Sequence, residues 1–184
     1  FAALSFSLIF FLITMEETSW LQRVLEYETP KVFSSNQQSE FNFHNFQTKP
    51  IEHLYYLGSF IFLIVFPFLN EHLPLSNYSR ELSIFLPTRF ILFISAIFVS
   101  YNWQMWNVIF TQISFFITFF ILLYYVFSTR HNTQLFTLSL CLFSTIVITE
   151  ILFIVYGDRL FRTYDLTEYK EFFIPLAFLF YSLE

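Results

Sequence analysis

Glu16 and Glu17 follow "FAALSFSLIFFLIT", fourteen residues without a charge, and Met15. Adjacent carboxylates at the end of an apolar run can serve as acid/base groups or as ligands. Glu40 and His44 stand four residues apart within "NQQSEFNFHNF". On a helix they would share a face and offer a carboxylate and an imidazole to one transition metal. Glu17 (or Glu16) would add a third ligand and leave a position open for water. The candidate catalytic set is therefore Glu16, Glu17, Glu40 and His44, and the candidate metal ligands are Glu17, Glu40 and His44. Most lone Glu-x3-His pairs are ordinary hydrogen bonds. The chain has no H-E-x-x-H motif and no Ser-His-Asp arrangement, so neither a reaction nor a cofactor is assigned.

The elements that must position these groups follow from composition. Of 184 residues, 56% are hydrophobic, 24% aromatic and only 12% charged, against about 25% charged in a soluble domain. Thirty Phe leave too little polar surface for a water-soluble globule. The long apolar runs lack in/out alternation, which excludes a barrel and favours membrane helices. A net charge of −5 with nine Lys and Arg excludes a nucleic-acid partner. Two glycines exclude a glycine-rich phosphate loop. Cys141 lies in an apolar run and is expected to be a small buried core residue.

The expectation is an all-α polytopic membrane bundle, a single domain with about six transmembrane helices. They fall near 1–15, 54–69, 87–102, 107–127, 134–156 and 172–184, with a polar interfacial segment at 16–51. The chain opens on Phe, and the short first and last runs are expected to belong to longer segments. If every segment spans, the links 16–51, 102–107 and 157–171 share one face with Trp20, Trp103 and Trp106. Six of the nine cations also lie in those links, which makes that face cytoplasmic by the positive-inside rule. Asn77-Tyr78-Ser79, a glycosylation sequon, would lie on the opposite face.

Glu150 sits inside the fifth run, where a carboxylate is costly and marks function or an internal partner. Gln112, Asn102 and His53 are expected at the same depth as Glu150 and Glu16, and Asp158 and Arg159 are candidate partners for the acids. Within 16–51, Trp20/Val24 and Leu21/Leu25 form an i/i+4 stripe. They predict a short amphipathic helix along the interface, opened by a Ser19–Gln22 capping box and closed before Pro30. Alternating Phe41, Asn42, Phe43, His44, Asn45 and Phe46 fits a loop that dips aromatics into the bilayer and turns its amides toward protein.

"EETSWLQRVLEYETP" followed by "NQQSEFNFHNF" resembles a family of bacterial polytopic membrane proteins of unassigned activity. Its signature runs E-E-x-S-W-G-Q-R, then E-T-P, then N-x-Q-x-E-x-N-L-H-N. The match covers residues 16–46, with Leu21 where the family has Gly and Phe43 where it has Leu. The resemblance implies that Glu16, Glu17, Trp20, Gln22, Arg23, Glu40, Asn42, His44 and Asn45 form one unit, in a bacterial inner membrane. The functional expectation is an accessory subunit whose partners are the bilayer and other membrane subunits. The alternatives are a metal-dependent enzyme acting on a lipid-linked substrate, and a transporter with Glu150 in a proton or cation path.

Overall fold

The computed structural model describes residues 2–36, 39–73, 85–101, 108–159 and 165–184. Trp103, Trp106, Asn102 and the sequon at 77–79 lie outside these residues. So do the side chains of Glu17, Arg23, His44 and Asp158. The described residues are helical or irregular and form no strand, and they divide into two compact units, Phe1–Tyr55 and Tyr56–Glu184.

The first unit opens with α1, Ala2–Glu17. Its sixteen residues reach about 24 Å, short of the ~30 Å hydrocarbon core of a bilayer. Phe11, Leu12, Ile13 and Thr14 are all exposed, and four consecutive positions go once round a helix. The helix ends where the Thr18 hydroxyl and backbone N–H both donate to the Thr14 carbonyl.

The expected amphipathic helix does not follow. Ser19, Trp20 and Leu21 form a tight turn with φ of 48°, 54° and 63°, all left-handed. Only Gln22–Leu25, α2, is α-helical, and left-handed Glu26 stops it. The Trp20/Val24 and Leu21/Leu25 stripe is therefore not built, and no side chain caps the turn. Residues 40–44 form no helix either, so Glu40 and His44 do not share a helical face. The competitor is Asn36. Its Oδ1 accepts from Glu40 N at 3.1 Å and its Nδ2 donates to the Glu40 and Asn42 carbonyls. Such local side-chain bonding draws the backbone away from helix. His44–Phe46 is a single 3-10 turn.

Thr48–Phe60, the π-helical Ile61–Val65 and Phe66–His72 run on as one helix, α3. Pro67 has no N–H for the Leu63 carbonyl, and its ring would crowd a regular turn there. The wider π turn accommodates it. The second unit continues with α4, Arg89–Ser95 tightening into 3-10 over Ala96–Ser100. It is completed by α5, Val108–Ser128, α6, Thr133–Tyr156, and α7, Asp165–Leu183. Asn132 caps α6 by accepting from Leu135 N–H at 3.2 Å.

α4 packs against α3, α5, α6 and α7. Ile91, Leu92, Ala96 and Val99 of α4 are buried at the centre of the unit. Three helices are long and apolar enough to cross a membrane: Pro50–His72, Ile109–Ser128 and Thr133–Tyr156. α1 and α4 are shorter, and α7 begins with charged residues, Asp165, Glu168, Lys170 and Glu171. Alongside this apolar core, the unit buries polar side chains and exposes large apolar ones. Thr118, Ser139, Glu150 and Lys170 are buried while Phe116, Phe120, Ile148 and Ile151 are exposed. Cys141 is exposed on α6, against the expectation of a core residue, because the outer face of this helix is apolar as well, with Leu138, Leu140, Ile148 and Ile151 exposed.

Candidate functional site

In the first unit the left-handed turn brings Glu16, Ser19 and Trp20 against segment 36–43. Trp20 Nε1–H donates to Glu16 Oε1 at 2.7 Å, and the Phe43 backbone N–H donates to Glu16 Oε2 at 2.7 Å. The Ser19 hydroxyl donates to Glu40 Oε2 at 2.6 Å. Asn42 Nδ2 reaches both Ser19 Oγ and Glu40 Oε2, at 3.3 and 3.5 Å. Gln22 braces the other side: its Nε2 donates to Thr29 Oγ1 at 2.6 Å and its Oε1 accepts from Phe41 N–H at 2.7 Å. Thr29 in turn donates to the Ser39 carbonyl, and the Tyr27 hydroxyl donates to the Trp20 carbonyl at 2.9 Å. Phe41 is enclosed by Trp20, Tyr27 and Phe33.

Of the sequence candidates, the structure thus gathers Glu16, Trp20, Gln22, Glu40 and Asn42 into one knot, with Asn45 buried in the same unit. In the knot, Glu16 and Glu40 both accept from the chain's own donors. Among the described residues no group of three or more His, Cys, Asp or Glu side chains is placed to hold a metal. The backbones of Glu17, Arg23 and His44 belong to this unit, and their side chains are outside the described set. Sequence reasoning missed Asn36 and Thr29 as clamps. The available signal was the Asn within "SSNQQSE", a residue type that bonds its neighbours' backbone.

The second unit holds two further polar clusters, one at each end. At the first, Gln112 Nε2 donates to Glu150 Oε1 at 3.0 Å, joining two residues expected at one depth. Glu150 is 2% exposed and Lys170 5%. Lys170 Nζ lies 5.5 Å above the Tyr56 ring, and the Tyr56 hydroxyl donates to Glu171. Tyr101, at the end of α4, stacks on Tyr169 and Phe173 of α7. Arg159 lies over the Tyr156 ring. Glu16 and His53 belong to the first unit and Glu150 to the second.

In comparisons with family models, curated proteins and solved structures, no match is found.

The opposite end of the second unit carries a clasp that the sequence reasoning did not anticipate. Glu71, at the end of α3, forms an ion pair with Arg89, at the start of α4, which includes Arg89 Nε donating to Oε2 at 2.8 Å. The buried Tyr125 hydroxyl of α5 donates to the same carboxylate oxygen at 2.7 Å, and its ring lies 5.2 Å beneath the guanidinium. His72 Nε2 bonds the Tyr124 hydroxyl at 2.9 Å. This arrangement ties three helix ends together by charge and aromatic contact.

Proposed function

We propose that the chain is an integral membrane protein acting as a non-catalytic subunit of a larger membrane assembly. In this reading α3, α5 and α6 cross the bilayer and α1, α4 and α7 complete a six-pass bundle, in a bacterial inner membrane. The observation that carries the reading is the use of Glu16 and Glu40. Glu16 is held by Trp20 and by the Phe43 backbone, and Glu40 by Ser19 and Asn42. Carboxylates bound to structural donors fix a shape rather than exchange protons with a substrate.

The test is cross-linking in native membranes followed by mild detergent extraction and mass measurement. The expected result is a heteromeric assembly of fixed stoichiometry. A lone 22.3 kDa chain in every mild detergent overturns the proposal.

One observation favours a second reading. Buried opposite charges at Glu150 and Lys170 suit a proton- or cation-coupled transporter. Proteoliposomes would then show a pH-gradient-driven flux that E150Q abolishes, and a tight membrane with no flux rejects it.

A further inference from the structure

Between Phe41 and Phe46 the asparagines face inward and aromatic rings face out. Asn42 and Asn45 are each 1% exposed, whereas Phe43 is 60% and Phe46 43% exposed. The two outward rings form one patch, because both lean on buried Phe33 at centroid distances of 5.0 and 5.5 Å. Their positions are fixed: Phe43 N–H donates to Glu16, and Phe46 N–H donates to the Phe43 carbonyl. A loop facing water would bury these rings and turn its amides outward. Elsewhere segment 18–47 is water-compatible, with Glu26, Glu28, Lys31, Ser34 and Ser35 exposed.

The surroundings of the patch decide what covers it. Pro50, where the apolar span Pro50–His72 begins, comes four residues after Phe46. Even fully extended, that connection is about 13 Å long. The end of a spanning helix lies at headgroup level, so Phe46 is held within reach of the boundary between headgroups and acyl chains.

We infer that Phe43 and Phe46 insert into the bilayer interface on the side where α3 begins. The loop that carries them is then a lipid anchor, while Glu26, Glu28 and Lys31 stay in water. The inference rests on α3 spanning the membrane.

The test uses nitroxide labels on single cysteines in a Cys141→Ser background, reconstituted in phosphatidylcholine vesicles. Labels go at Phe43→Cys and, independently, Phe46→Cys. Glu28→Cys serves as the water-side reference and Phe120→Cys, on exposed α5 surface, as the lipid reference. The measured quantity is the ratio of collision rates with oxygen and with a water-soluble nickel chelate. The expected ratio at 43 and 46 is severalfold above that at 28 and approaches that at 120. Equal ratios at 43, 46 and 28 with a high ratio at 120 overturn the inference and leave the membrane-spanning reading intact. A low ratio at 120 as well overturns both. Labels at 43 and 46 shielded from both reagents show a protein surface in place of lipid and also overturn it.

Discussion

Leu21 shows how one side chain can sit against its backbone. Its φ of 63° and ψ of 15° lie in the left-handed region, which costs an L-residue roughly 1–2 kcal/mol. Glycine adopts that region freely but gives up about 0.5–1 kcal/mol of chain entropy on folding. L21G is expected to stabilise the first unit by a net amount on the order of 0.5 kcal/mol, read as slower proteolysis of segment 26–40. L21V is expected to accelerate it, since a β-branched side chain tolerates positive φ least. The place where the resembled signature has glycine is this same strained position. Sequence alone marked the departure but not its cause, because nothing in "TSWLQR" announces a left-handed turn. Glu16 is the second residue whose role is local. E16Q keeps one acceptor oxygen and turns an amide toward a donor. It is expected to cost about 2 kcal/mol, the scale of a charge-assisted bond, measured by the same proteolysis.

At the scale of elements, helices were legible where apolar runs were long. The expected 107–127 and 134–156 match Val108–Ser128 and Thr133–Tyr156 within a residue. The second and sixth runs begin earlier as helices, at Thr48 and Asp165, because charged Glu and Lys are good helix formers. The Glu71–Arg89–Tyr125 clasp was illegible, since its members lie far apart in sequence and only packing of three helix ends unites them. The Gln112–Glu150 bond was within reach because alternation of spans puts both near one depth.

At the scale of the whole molecule, large apolar side chains left outside and polar groups held within the core support the membrane reading. The subunit reading expects no stoichiometric transition metal in the purified chain. It also expects E40Q and H44Q to leave the metal content unchanged. Elemental analysis giving one zinc or manganese per chain, lost in both variants, would favour the enzyme alternative. The central position of α4 has a further consequence for biogenesis. Its rod, α-helical then 3-10, measures about 20 Å and falls well short of the ~30 Å apolar slab. On the proposed six-pass reading, such a segment is expected to partition poorly into lipid by itself and to settle only once α5, α6 and α7 are made and surround it. The shortest buried helix would then be the last to commit, and it would set the order of the chain's route into the membrane.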